Sequence, residues 1–379
     1  MKAGWKIVKL GDVAKIISGR NQREVESPNG PHPIIGSGGE MGRAKQTLCP
    51  AETTVVGRKG SINRPFFMTE PFWNVDTAFG ISADQNAVTP KFLHYFCLSF
   101  DFTTLNKGTT IPSLVKSDIA EIPIPCPPLA EQKRIVARLD EAFAGIDEAK
   151  AKAEACLTDA EESFNSLIDS KISCASVGAP CAALEELCDK NRVITYGVIK
   201  LGEPTRNGVY CLRCGNLKRL TIDLEGIRKI PDSLSKEYSR TVLKGGELLV
   251  NVRGTLGGVC VAPSSMSGWN VAREIAVVPL QPGAISAEYL SYHVASTTSQ
   301  AWLMGKRKGA AYVGINIEDI RRLPIYLPSR KEQERIAGVL SEAQRHALDL
   351  QNIYEKKANK LLDLKSSLLT QAFAGELTA

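Results

Sequence analysis

Short turns that are rich in Arg, Lys and Asn and flanked by Gly carry the side chains with the clearest chemical potential. Arg and Lys can pair with phosphate groups or with guanine, and Asn can bond the edge of adenine. Turns in the first half of the chain hold Arg20, Asn21, Arg23, Arg58, Lys59, Asn63, Lys107 and Thr109, and turns in the second half hold Arg206, Arg213, Arg253, Lys306, Arg307 and Lys308. Solvated loops are commonly basic, but Arg58 aligns with Arg253, and Lys107 aligns with Lys308. This recurrence favours a nucleic-acid surface, with these residues as the candidate DNA contacts.

Motifs for catalysis, or for holding a metal or cofactor, are not found in the sequence. There is no GxxxxGK(S/T) phosphate loop, and the histidines are four dispersed residues that indicate neither a triad nor a metal cluster. Cys211 and Cys214 have the spacing of zinc ligands, but no second pair completes a set of four. The sequence therefore predicts a protein without catalytic residues, metal or cofactor.

Composition sets broad limits. The 379 residues are enough for two domains with proper cores, and the formal charge of +6 is compatible with a polyanionic partner without proving one. The N-terminal sequence has no apolar signal core, and no stretch approaches a membrane span. We therefore expect a cytoplasmic protein that does not enter a membrane and keeps its cysteines reduced.

An internal repeat organises the chain. Residues 122–142 return 201 positions later as residues 323–343. The repeat pairs Glu131 with Glu332, Gln132 with Gln333, and Arg134 with Arg335. The sequence Trp73-Asn74-Val75 also recurs, as Trp269-Asn270-Val271. A repeat of this length predicts one domain-plus-helix unit built twice, with approximate two-fold symmetry inside one polypeptide.

The coarse pattern of elements predicts an α+β fold. Residues 1–127 and 179–327 contain many short β-prone runs and a few helical runs, as expected of two similar α+β domains. Residues 128–178 and 328–379 have the continuity of long helices. Positions at alternating steps of four and three give the pattern of a coiled coil, and they include Leu139 and Cys156 in the first helix and Leu340 and Leu350 in the second. A helix of about 45 residues spans roughly 65 Å. An antiparallel helix pair is favoured over two helices that pack only on their own domains.

The duplicated segments PIPCPPLAEQKRIVARLDEA and PIYLPSRKEQERIAGVLSEA, each after a domain with a Gly-Arg or Arg-Gly turn, resemble the specificity subunit of type I restriction-modification systems. The resemblance covers the order domain, helix, domain, helix. It implies a non-catalytic reader of double-stranded DNA, in which 1–127 and 179–327 are target-recognition domains that each read half of a split site. The long helices 128–178 and 328–379 would fix the spacing between the half-sites.

The resemblance also implies partners. Two methyltransferase subunits carrying S-adenosylmethionine would bind the helices and methylate adenine, and motor-nuclease subunits using ATP and Mg²⁺ would join for cleavage. The duplicated polar residues at the helix entries are the candidate partner contacts: Glu131, Gln132, Arg134, Glu332, Gln333 and Arg335. Two alternatives stay open, the recognition subunit of a related type II-like modification or restriction complex, and a helical scaffold with two protein- or glycan-binding domains.

Overall fold

The structure is a computed structural model that describes residues 4–307 and 314–377. The described chain forms two compact units. The first contains the residues up to Glu154 and those from Tyr354 onward, and the second contains Ala155–Ile353. Each unit therefore combines one globular part with segments of both long helices.

Short strands in three small sheets build the globular part of the first unit. Its elements are β1 (Lys6–Lys9), α1 (Leu10–Val13), β2 (Ala14–Ser18), β3 (His32–Gly36), β4 (Gly39–Ala44), β5 (Thr53–Gly57), β6 (Phe66–Met68), β7 (Trp73–Asn74), β8 (Ala78–Ala83), α2 (Pro90–Ser99), α3 (Lys116–Ala120) and β9 (Pro123–Cys126), followed by the long helix α4 (Leu129–Ser176). The sheets are β1-β9, β2-β8-β5-β6 and β4-β3-β7, in which only β3 and β7 pair in parallel.

The second unit repeats this layout. After α4 come β10 (Cys181–Ala183), β11 (Thr195–Tyr196), β12 (Val209–Leu212), β13 (Arg228–Ile230), α5 (Asp232–Glu237), β14 (Leu248–Asn251), β15 (Val259–Val261), β16 (Asn270–Val271), β17 (Ile275–Val278), α6 (Ala287–Ala295), α7 (Thr297–Gly305), α8 (Ile317–Arg321), β18 (Pro324–Tyr326) and the long helix α9 (Arg330–Ala374). The sheets β10-β18, β11-β17-β14-β15 and β13-β12-β16 match those of the first unit strand for strand, and β12 pairs with β16 in parallel. The predicted α+β duplication is confirmed.

The long helices begin where their sequences supply starting signals. In α9, the hydroxyl of Ser329 accepts a hydrogen bond from the backbone N–H of Glu332 at 3.3 Å. This is half of a capping box, because the Glu332 carboxylate turns away to Arg335. With 48 residues in α4 and 45 in α9, the helices span about 70 Å each.

The helix segments run antiparallel within each unit. In the first, Lys365 Nζ lies 2.6 Å from Asp147 Oδ1, and Arg138 donates to the carbonyl of Leu377, so numbers rise along one helix as they fall along the other. In the second, residues 157–165 of α4 line a groove with residues 344–351 of α9, while farther along α4 Ile168 and Ile172 share a core with the earlier residues Ile336 and Leu340 of α9. The predicted antiparallel pairing holds in both units.

The coiled-coil pattern holds only in part. At the helix entries Ile135, Leu139 and Leu340 are fully buried, and the first two share a core with the globular part and with the end of α9. Farther along the same register, Cys156 is exposed and Leu350 is 40% exposed. The middle of the helices therefore departs from a continuous a/d seam, while their entries also pack on their own domains. No helix among the described residues combines the length and apolar character needed to cross a membrane.

Candidate nucleic-acid interface

Two of the predicted DNA-contact turns of the first unit meet at the segment 74–78. The backbone N–H of Arg20 donates to the carbonyl of Asn74 at 3.0 Å. The N–H groups of Arg58 and Lys59 both donate to the carbonyl of Thr77, at 2.7 and 3.2 Å. The strands β2, β5 and β8 end or begin here, so the sheet fixes the loops that follow them.

The third turn joins the second. Gly60 N–H donates to the carbonyl of Pro112 at 2.9 Å, which ties the loop 106–113 to the loop after β5. Asn106 Oδ1 accepts from two backbone N–H groups within that loop, each at 2.9 Å. Lys107 and Thr109 are exposed on this braced loop. The structure therefore brings all three turns together.

The side chains at this junction differ in how accessible they are to a ligand. Arg20, Asn21, Arg23 and Lys59 are exposed. Arg58 is half-buried, and its guanidinium lies 5.9 Å from the Phe79 ring centroid and donates to the carbonyl of Asp76. That support holds one face of the guanidinium and leaves it oriented before any ligand arrives.

Asn21, Asn63 and Lys107 also have internal partners, and Asn21 Oδ1 accepts from the backbone N–H of Arg23 at 2.9 Å. Asn63 Oδ1 accepts from the backbone N–H of Phe102 at 2.8 Å, which orients the side chain and leaves its amide NH₂ to donate to a ligand. Lys107 Nζ lies 3.4 Å from a carboxylate oxygen of Asp118, and both side chains are accessible to solvent. An accessible pair of this kind is weak and can be exchanged for a phosphate.

The second unit builds the same junction. Val252 N–H and Arg253 N–H both donate to the carbonyl of Glu274, at 2.8 and 3.3 Å, and Ile315 N–H donates to the carbonyl of Val252. In the first unit the corresponding bonds come from Arg58, Lys59 and Leu114. Arg253 is therefore equivalent to Lys59, and the sequence alignment of Arg253 with Arg58 is wrong by one residue.

Arg253 shares a cleft of about 320 Å³ with Arg240 and Arg273. Its guanidinium lies 5.3 Å from the Tyr196 ring centroid. Sequence reasoning missed Arg240 and Arg273. The recurrent Trp-Asn-Val segment ends two residues before Arg273 and could have drawn attention to it, whereas Arg240 has no such signal.

The other predicted contacts of the second unit are more scattered. Arg213 is exposed directly after β12, and its N–H donates to Asn216 Oδ1 at 3.0 Å. Arg206, Lys306 and Arg307 are exposed. In the described ranges, no hydrogen bond joins the loop of Arg206 or residues 306–307 to the junction at 271–275. Lys308 lies outside the described residues.

The glutamines of the two helix entries are not partner contacts. Gln132 is fully buried; its Oε1 accepts from Thr89 N–H at 2.8 Å, and its Nε2 donates to the carbonyls of Ala87 and Pro127, each at 2.9 Å. Gln333 is buried too, with bonds to Ser286 N–H and to the carbonyl that precedes Ser329. The prediction that these two glutamines bind a partner is wrong, because both amides are used to hold each helix entry to its own domain.

The charged residues of the entries remain at the surface. Arg134 is exposed and Glu131 is half-buried. Arg335 makes a two-pronged pair with Glu332, at 2.8 and 2.6 Å. These hydrogen bonds raise the pKa of Arg335 and lower the pKa of Glu332, so both stay charged.

Two titratable groups elsewhere, His293 and Cys211, are buried in the core, and burial shifts their pKa values. Burial lowers the pKa of His293 to about 4, and its Nε2 accepts from Tyr326 N–H at 3.2 Å. Burial also raises the pKa of the Cys211 thiol to about 12, far from the range of a reactive thiolate. Within the described part of the chain, no three His, Cys, Asp or Glu side chains converge as metal ligands.

Both units of the chain match one known protein family. Residues 2–155 and 184–359 match the type I restriction modification DNA specificity domain. The chain belongs to this family. The two matches confirm two recognition domains in one polypeptide, as the repeat predicted.

Individual relatives of the chain are specificity subunits of type I restriction enzymes. The chain is 25% identical over 354 residues to the type I restriction enzyme EcoBI specificity subunit of Escherichia coli, covering 86% of this chain and 74% of the relative. It is 24% identical over 359 residues to the EcoKI specificity subunit of Escherichia coli strain K12, covering 89% and 77%.

Solved structures show the same fold. A chain from a structural study of the assembly and conformational transition of the type I R-M system superposes with a TM-score of 0.71 at 19% identity, covering 100% of this chain and 99% of that one. The HsdS subunit from Thermoanaerobacter tengcongensis gives 0.50 at 19% identity, covering 100% and 98%.

Proposed function

We propose that this protein is the non-catalytic DNA-recognition subunit of a type I restriction-modification enzyme, in which each unit reads one half of a bipartite site. The observation that carries this proposal is the repeated loop junction. Both units hold their loops with the same backbone bonds, to Thr77 in one and to Glu274 in the other, but present different side chains. Shared backbone geometry with unlike side chains is what two readers of unlike half-sites require.

The long helices set the distance between the half-sites and bind two adenine-N6 methyltransferase subunits. Support comes from an apolar face on α9, where Val339, Leu350 and Ile353 are 38%, 40% and 58% exposed. These residues are 11 and 14 positions apart, close to three and four helical turns, so they share one side of the helix. Exposed apolar faces on helices are typical of protein–protein contact.

Chemistry resides on the partners in this proposal. The methyltransferase subunits carry S-adenosylmethionine and hold the target adenine outside the duplex. Motor-nuclease subunits with ATP and Mg²⁺ join the same assembly in the cytoplasm to cleave unmodified DNA. This chain contributes the binding and orientation of DNA through its two junctions.

Genome-wide mapping of methylated adenines, with and without the gene for this chain, tests the proposal. We expect one bipartite motif, with a fixed gap between its halves, to disappear when the chain is absent and to return on complementation. An unchanged methylation pattern would exclude a recognition role. Immunoprecipitation of the tagged chain then shows whether a separate motor subunit accompanies it, which distinguishes the type I assembly from a related complex.

A further inference from the structure

The cleft of the second unit is built in advance of any ligand. Arg273 N–H donates to the carbonyl of Val198 at 2.9 Å, which fixes one wall. The buried amide of Asn270 accepts from the Thr241 hydroxyl at 2.7 Å, which holds the turn that carries Arg240 on another wall. These hydrogen bonds therefore hold Arg240 and Arg273 in place around one cleft.

The charge in this cleft is not neutralised internally. No carboxylate of the described residues forms a salt bridge with Arg240, Arg253 or Arg273. One acidic residue, Glu237, also lines the cleft and leaves a net excess of two positive charges. Three arginines around one cleft with this excess can donate hydrogen bonds to the oxygens of an anion.

The shape of the site favours a phosphate over a base edge. Base edges lie at the floor of a groove about 8.5 Å deep and are reached by side chains that project from the protein surface. Arg240 and Arg273 instead line a concave space, into which the projecting sugar-phosphate backbone can enter. Arginines in such a place position the duplex without reading its sequence.

The first unit does not have the same charges at its junction. The carbonyl bonds of Thr77 and Glu274 make these two residues equivalent, so the residue equivalent to Arg273 is Asp76. A carboxylate at this place would repel a phosphate. The feature thus belongs to one of the two readers.

We propose that Arg240 and Arg273 hold a backbone phosphate of the second half-site in this cleft, and thereby set the position of the second unit on DNA. The proposal rests on the proposed function. It assigns a positioning role to two residues outside the set expected from sequence, and it makes the binding of the two half-sites electrostatically unequal.

The test is equilibrium binding by the complete complex with its methyltransferase subunits, followed from about 50 to 200 mM salt. Two duplexes are compared, one with the mapped bipartite site and one with the second half-site scrambled. Arg240→Ala and Arg273→Ala are measured beside Lys190→Ala. Lys190 is exposed and follows Asp189, whose N–H donates to the carbonyl of Pro279 just beyond the end of β17 that is far from the junction, so the control removes one positive charge away from the cleft.

We expect each arginine variant to bind both duplexes about tenfold more weakly, and the slope of log K against log salt to become shallower by about 0.9. The control should match the wild type, and Arg273→Lys should keep most of the slope, which shows that the fold is intact. An unchanged slope, or a loss confined to the mapped site with an altered base preference, would overturn the phosphate assignment. If the wild-type complex showed no preference between the duplexes, the proposed function would fail, and the salt slopes alone would decide on the cleft.

Discussion

Replacing Gln132 by Leu should loosen the entry of α4 from the first globular part. The side chain makes three buried bonds, to Thr89 N–H and to the carbonyls of Ala87 and Pro127. A buried hydrogen bond contributes about 1 kcal/mol net, so the local free energy of opening should fall by about 3 kcal/mol. Gln333 makes two such bonds, and Gln333→Leu should cost about 2 kcal/mol in the second unit.

Hydrogen exchange measured by mass spectrometry on the full complex reports the local free energy of opening at these residues. Exchange over residues 87–89 should accelerate by about a hundredfold in Gln132→Leu, and over residues 285–287 by somewhat less in Gln333→Leu. Lys133→Leu is the matched control, since Lys133 is exposed on the next position of the same helix and should change exchange little. Unchanged exchange at 87–89, together with lost methyltransferase binding, would refute the internal role and restore a partner role for the glutamine.

Further predictions concern stability and spacing. Arg192 lies 2.8 Å from the buried carboxylate of Glu247, so Arg192→Met should lower the free energy of unfolding by about 3 kcal/mol in urea titrations. Burial lowers the pKa of His293 to about 4, so as pH falls from 6.5 the unfolded state takes up a proton before the folded state does. The free energy of unfolding should therefore drop by up to about 3 kcal/mol by pH 4. His293→Gln should flatten this dependence of the free energy of unfolding on pH. A seven-residue insertion within 149–160 of α4, matched by one near Gln351 of α9, should lengthen the helix pair by about 10 Å. The gap between methylated half-sites should then widen by about three base pairs, and an unchanged gap would contradict the spacing role.

The frame of the molecule could be predicted from sequence because its signals are local and repeated. Continuous helical periodicity over 328–379 placed the start of α9 within two residues of Arg330. The apolar register was right at Leu139, where the domain core covers the helix, and wrong at Leu350, where periodicity does not reveal what lies opposite. Burial of Gln132 escaped prediction for the same reason, since a polar residue on a helix looks solvent-facing until its partners are known.

The contact residues were harder to predict. Arg253 was selected by its turn chemistry, but its equivalence to Lys59 became visible only through the carbonyl bonds of Thr77 and Glu274. The offset between equivalent residues changes along the chain, from 194 at Lys59 and Arg253 to 197 at Thr77 and Glu274, and sequence identity over so few positions does not detect this change. Arg240 reaches the cleft from a distant turn, which only tertiary structure brings close.

Half-site reading by separate units is the central claim, and single-residue variants measured by methylome sequencing test it most directly. Arg58→Ala should weaken methylation or broaden the base preference at the first half-site only. Arg253→Ala should do the same at the second half-site only, because each guanidinium belongs to one junction. Equal effects of each variant on both half-sites would contradict independent reading by the two units.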